Sequence, residues 1–136
     1  MNVMPLSNVM GGLVKKITGV RGDPKKATSV GRFAGTWAGT MSFANSSGKS
    51  EIVLTIYKRC KRGGVCGYLD NKTNGCVWEM TLDEVKRDVL SYTFSKSLQG
   101  DCPTGSVGKL ILRPDGTIYR VHQTMGPIAS GTLTRQ

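Results

Sequence analysis

From Phe33 onward the chain alternates between large apolar and small or polar positions. In the run from Phe33 to Phe43, Trp37, Gly39, Met41 and Phe43 fall at spacing two, with Ala38, Thr40 and Ser42 between them. Successive side chains of a strand point to opposite faces, so the run predicts a strand with its large residues on one side. The pattern returns after each cluster of turn residues. It predicts further strands over residues 51–59, 65–69, 76–82, 89–96, 107–113, 117–123 and 129–135. The punctuation is Asn45 to Gly48, a tight turn at Lys61-Arg62-Gly63-Gly64, a polar loop over 70–75, a charged turn over 83–88, a loop over 99–105, Pro114-Asp115-Gly116, and Gly126-Pro127. Pro and Gly specify such turns by fixing or freeing φ. Many short strands at close spacing argue for an all-β sandwich or barrel.

Short connections favour antiparallel neighbours, hence a meander. Eight meander strands can close on themselves, which removes the exposed sheet edges. The expected fold is therefore an eight-stranded antiparallel up-and-down β-barrel over residues 33–136. Alternation assigns Ile52, Leu54 and Ile56 to its interior, with Trp78, Met80 and Leu82, with Leu90, Tyr92 and Phe94, with Leu110 and Leu112, and with Tyr119 and Val121. Glu79, Lys109, Arg113 and Arg120 then face solvent. An eight-stranded barrel is just wide enough to fill itself with side chains or to hold one small ligand. Both outcomes fit this set of interior residues.

Residues 1–32 differ in kind. They hold Lys15, Lys16, Arg21, Lys25, Lys26 and Arg32 against the single acid Asp23, half of the chain's formal net charge of +10. Leu6, Val9, Met10, Leu13, Val14 and Ile17 recur at helical spacing, but Gly11 and Gly12 interrupt them at about 1 kcal/mol each relative to Ala. The segment reads as a flexible basic tail or a short amphipathic helix that docks on a membrane or a partner. Its lysines follow a weak apolar stretch, whereas a secretory leader places charge first, so a leader is not expected. No apolar run is long enough for a transmembrane helix.

Charge concentrates again at Lys58, Arg59, Lys61 and Arg62, around Cys60. The choice is between a solvated hairpin and an anion site for phosphate, nucleic acid or an acidic lipid surface. Nucleic-acid readers interleave exposed aromatics with cations, and here Tyr57 and Tyr68 flank the cluster. OB-folds bind single strands on small barrels, but with five strands.

Catalytic chemistry has little support. His122 is the single histidine, and no local Ser or Cys motif makes it a triad base. Alternation with Tyr119 and Val121 points it outward, beside Arg120. Asp83, Glu84 and Asp88 lie among Lys86 and Arg87, as at a solvated hairpin end, and Glu79 is isolated on the outer face. Neither a catalytic residue nor a metal or cofactor is expected.

Gly35-Thr36-Trp37, preceded by Phe33 and opening an eight-strand meander, resembles the G-x-W signature of the calycin superfamily of lipocalins, fatty-acid-binding proteins and avidins. Gly75-Cys76-Val77-Trp78 and the run from Gly100 to Val107 also resemble a small bacterial barrel domain of poorly defined function. The chain is shorter than most lipocalins and lacks their full second and third motifs. The resemblance implies a non-enzymatic barrel that binds one small, mostly apolar molecule inside, against Trp78, Met80, Tyr92, Phe94, Leu112 and Tyr119. It also implies a late arginine, Arg135 or Arg120, packed across Trp37, which plugs one end. Some calycin-like barrels are isomerases, which leaves an enzyme as a third class beside the ligand-binding barrel and the anion- or nucleic-acid-binding module. Barrel haem proteins with a similar Gly-x-Trp bind iron through histidine, which here would require the strand of His122 to be inverted.

The four cysteines fit no zinc pattern. Cys60 and Cys66 flank the Gly63-Gly64 turn, and Cys76 and Cys102 fall at one end of adjacent meander strands. Directly opposed Cα atoms in a non-hydrogen-bonded pair lie about 4.5 Å apart, at the short end of disulfide reach, so the expected pairs are Cys60–Cys66 and, from their places on adjacent strands, Cys76–Cys102. Paired cysteines imply an extracytoplasmic location. Four buried thiols, with no leader, would imply the cytoplasm.

Overall fold

A computed structural model describes residues 30–136. The tail over 1–29, expected as a flexible or amphipathic segment, lies outside the described residues. Eight antiparallel strands form a closed barrel in simple sequential order. They are β1 (Gly35–Phe43), β2 (Lys49–Ile56), β3 (Val65–Asn71), β4 (Val77–Lys86), β5 (Val89–Gln99), β6 (Val107–Leu112), β7 (Ile118–Gln123) and β8 (Ile128–Arg135). Closure comes from β1 pairing with β8, where Trp37 lies opposite Arg135 and Phe43 opposite Ala129. No described helix is long and apolar enough to cross a membrane.

One end of the barrel is sealed by the residues just before β1. Val30 and Phe33 belong to a helical turn, Phe33 N–H donating to the Val30 carbonyl at 2.9 Å. Both are buried, so the packed part begins no later than Val30. Phe33 was expected in the first strand; it lies instead under it, and its carbonyl accepts from Trp37 Nε1 at 2.9 Å. Trp37 is fully buried. Above this plug, Leu54, Ile56, Leu82, Leu90, Leu110, Ile118 and Leu133 fill the lumen.

Three local readings change. Residues 83–86 continue β4, and the turn to β5 is only Arg87-Asp88, with Arg87 at φ 56°. The second strand stops at Ile56, and residues 57–64 form a longer loop rather than a tight hairpin. Cys60 therefore sits in that loop and reaches Cys66 on β3 across a Cα separation of 5.1 Å. Cys76 and Cys102 are joined at the opposite end, 6.1 Å apart at Cα. Both expected pairs are formed.

The largest correction concerns β7. Tyr119 and Val121, expected inside, are only half-buried, while Ile118, Arg120 and His122 are buried in the lumen. The register explains the inversion. The tight connection to β6 sets Leu112 opposite Ile118, Leu110 opposite Arg120 and Gly108 opposite His122. Residues directly opposite in an antiparallel pair share a face. With Leu110 and Leu112 inward, Arg120 must be inward too. Tyr119 is outside, with the Arg113 guanidinium 4.5 Å from its ring centroid.

Candidate functional site

The end away from Trp37 is open. A cavity of about 230 Å³ enters the barrel there. Met41 and Phe43 of β1, Ser50 and Ile52 of β2, and Leu69 and Asn71 of β3 line one side. Trp78, Phe94, Ser106, Arg120 and His122 line the other. The walls are mainly apolar, with a few polar side chains among them, the usual make-up of a small-molecule site.

The mouth is held by specific bonds. Asn71 is buried because its Oδ1 caps the 71–76 loop, accepting from Thr73 N at 3.0 Å and Asn74 N at 3.1 Å. Trp78 Nε1 donates to the Pro103 carbonyl at 2.9 Å, and the Cys76–Cys102 bridge fastens the same loop at the residue before Pro103. The Trp78 and Phe94 rings stack at 4.6 Å, 3° from parallel, and Phe94 lies 4.4 Å from the His122 ring.

Below them runs a chain of polar contacts. Arg120 Nε donates to the Tyr92 hydroxyl at 2.8 Å. That hydroxyl is 2.9 Å from His122 Nδ1, and His122 Nε2 is 2.8 Å from Ser106 Oγ. Since Tyr92 accepts from Arg120, its own proton is best placed on Nδ1. His122 then carries its proton on Nε2 and donates to Ser106. Burial first, and the Arg120 charge second, lower the His122 pKa from 6.5 to about 3, so the ring is neutral near pH 7. Burial raises the Tyr92 pKa, opposed by the charge and hydrogen bond of Arg120. Gly108 makes this contact possible: a Cβ there would stand 2.3 Å from the Tyr92 hydroxyl and 2.7 Å from His122 Nδ1.

Arg120 is 4% exposed. Among the described residues the one hydrogen bond of its side chain is to Tyr92, and the two ion pairs are elsewhere, Arg32–Asp88 and Lys72–Asp70. The ring centroids of Tyr92 and Phe94 lie 5.8 Å from its guanidinium carbon.

Of the six residues expected to bind a ligand, Trp78 and Phe94 line the cavity. Met80 and Tyr92 are fully buried beneath it, and Leu112 is half-buried towards the plugged end. Tyr119 is outside. Arg120 and His122 are absent from the expected site because alternation alone turns β7 the wrong way, and Ser106 because it lies in the loop just before β6. Counting the Pro114-Asp115-Gly116 hairpin outward from its turn would have found them.

Lys58, Arg59, Lys61 and Arg62 are exposed on the 57–64 loop at the plugged end. Arg62 Nε donates to the Asp83 carbonyl at 3.0 Å. Tyr57 and Tyr68 are exposed beside the loop with ring centroids 6.5 Å apart. The basic loop and the cavity are thus at opposite ends. No group of three or more His, Cys, Asp or Glu residues that could hold a metal occurs among the described residues. Compared with known proteins, the chain matches no family model, no curated protein and no solved structure.

Proposed function

We propose that this is a calycin-like barrel that binds, without transforming it, one small and mostly apolar molecule at its open end. The observation that carries the reading is the roughly 230 Å³ cavity in the mouth, walled by Met41, Phe43, Ile52, Leu69, Trp78 and Phe94. A cavity of about 150 Å³ lined by apolar side chains takes up benzene, so this one has room for a ring-sized molecule. The G-x-W stretch, with Arg135 over Trp37, supports calycin kinship. The Ser106–His122–Tyr92 line resembles a nucleophile, base and orienter only in order. With its proton on Nε2, His122 has no lone pair for the Ser106 proton, which favours binding over hydrolysis. Two disulfides suit an oxidising, extracytoplasmic compartment.

Indole, neutral and ring-sized, tests the reading. On titration, NMR shifts should concentrate at the Met41, Ile52 and Leu69 methyls and the Trp78 indole N–H. No shift there, with indole near saturation, defeats the proposal.

A second reading is favoured by the exposed Tyr57–Tyr68 pair beside Lys58, Arg59 and Lys61: an outer site for a polyanion, either single-stranded nucleic acid or an anionic lipid surface. Cations beside aromatic faces suit both. Replacing Lys58, Arg59 and Lys61 by Ser should weaken salt-dependent binding of an oligonucleotide or of phosphatidylglycerol vesicles. Unchanged binding of both removes the loop from the reading.

A further inference from the structure

The cavity has one charged side chain on its lining, and it is a cation. Arg120 is buried to 4% exposure with no carboxylate partner among the described residues. A buried charge without a partner is costly, which is why buried charges are paired or neutralised. Arginine cannot take the second route, because its guanidinium stays protonated. Only Nε is engaged, on Tyr92, and Tyr92 holds its place through His122. The four N–H groups of the two terminal nitrogens have no acceptor among the described residues. Ser106 also lines the cavity; it accepts from His122 Nε2, so its own proton is free to donate. On the opposite wall Ser50 is buried, with no side-chain hydrogen bond among the described residues. The polar corner is therefore rich in donors and carries a fixed positive charge. Its two terminal nitrogens suit a planar two-oxygen acceptor.

The remaining wall limits the rest of the ligand. Trp78, Phe94 and His122 form a continuous aromatic surface, with neighbouring centroids 4.6 Å and 4.4 Å apart. Scaled from benzene in its cavity of about 150 Å³, a volume of about 230 Å³ holds roughly nine or ten non-hydrogen atoms. That is one ring and a carboxylate, and a long acyl chain would have to extend out of the mouth.

We infer that the mouth cavity is a site for a small aromatic carboxylate, its carboxylate on Arg120 and the Ser106 hydroxyl and its ring along Trp78 and Phe94. The inference rests on the ligand-binding reading above and adds the charge and shape of the ligand. Electroneutrality is restored when the anion enters, and the guanidinium gains the acceptors it lacks. A neutral ligand of the same shape leaves that charge uncompensated.

Phenylacetate, phenylacetamide and octanoate, each of about ten non-hydrogen atoms, separate the components when titrated calorimetrically into the protein of residues 1–136. Phenylacetate should bind about ten- to a hundredfold more tightly than phenylacetamide, the worth of one charge-assisted hydrogen-bonded contact. It should also bind more tightly than octanoate. Arg120→Gln should abolish the preference for acid over amide, and Arg120→Lys should keep part of it. Near-UV circular dichroism checks that the variants fold, and the acid-to-amide ratio of the unaltered protein decides the matter if they do not. Equal binding of acid and amide overturns the anion site yet leaves a neutral-ligand barrel standing. Octanoate binding as tightly as phenylacetate overturns the aromatic part. If indole and all three probes fail to bind, the ligand-binding reading falls with the inference.

Discussion

The Arg135 guanidinium lies over the Trp37 indole, its central carbon 4.2 Å from the ring centroid, while Nη1 donates to the Ala34 carbonyl at 2.6 Å. The last strand is thereby clamped to the first at the plugged end, where the two are also paired in register. Of the two late arginines that the G-x-W resemblance offered, Arg135 takes this place and Arg120 does not.

Emptying that end should be expensive. Trp37→Ala removes a fully buried indole and its hydrogen bond to Phe33. The expected loss is about 3–5 kcal/mol, the range for a core aromatic. Arg135→Ala should cost less, about 0.5–2 kcal/mol, because Arg135 is exposed and contributes a cation–π contact and bonds to the Ala34 and Arg32 carbonyls. Urea unfolding of both variants measures this. A loss below about 1 kcal/mol for Trp37→Ala would show that the plug is not structural.

The mouth disulfide should be worth more than the loop disulfide. Cys76 and Cys102 are 26 residues apart, whereas Cys60 and Cys66 are separated by 6. On the chain-entropy account the longer closure contributes about 3–4 kcal/mol and the shorter about 2 kcal/mol. Thermal unfolding of the two paired Cys→Ser variants should rank them in that order. Mass spectrometry after alkylation without reductant should find no modified cysteine, and four modified cysteines would refute both bridges.

Stability should fall on acidification through His122. Its folded-state pKa, about 3, lies below the unfolded value of 6.5. Between those limits the unfolded chain binds the extra proton, so stability rises with pH and is lost as pH drops from about 6.5 towards 3. The slope from this group is at most about 1.4 kcal/mol per pH unit. His122→Gln lacks this component. The stability gap between the unaltered protein and the variant should therefore narrow from about pH 7 to about pH 4.5. A gap that stays constant would place His122 in solvent.

Gly108 should tolerate no side chain. Its missing Cβ is the space occupied by the Tyr92 hydroxyl, 2.3 Å away. Gly108→Ala should destabilise by about 1–3 kcal/mol, the cost of overpacking a filled interior. It should also shift the His122 ring resonances as the Tyr92–His122 contact opens. Unfolding data within about 0.5 kcal/mol of the unaltered protein would show that β6 can move aside.

The sequence alone determined the strand count, the meander order, the closed barrel and which cysteines are partners if they pair. Each of these follows from short-range signals: alternation at spacing two, turn residues at regular intervals, and short connections that force neighbours to be antiparallel. Alternation along one strand, however, defines two faces without saying which is inside. For Ile52-Val53-Leu54 the apolar contrast decides. For Ile118-Tyr119-Arg120-Val121-His122 it misleads, since the face carrying Tyr119 and Val121 looks more apolar than the face carrying Arg120 and His122. Pairing with β6 overrides it, because Leu110 and Leu112 are already committed to the lumen and their partners must follow. The position of the cavity was likewise a tertiary decision. The plug formed by Val30, Phe33 and Trp37 fills one end, while the loops held by Cys76–Cys102 and the Trp78–Pro103 bond leave the other open. The pairing of β5 with β6 and of β6 with β7 sets Tyr92 opposite Gly108 and Gly108 opposite His122, and so brings Ser106, Tyr92, Arg120 and His122 from three separate parts of the chain into one line of hydrogen bonds.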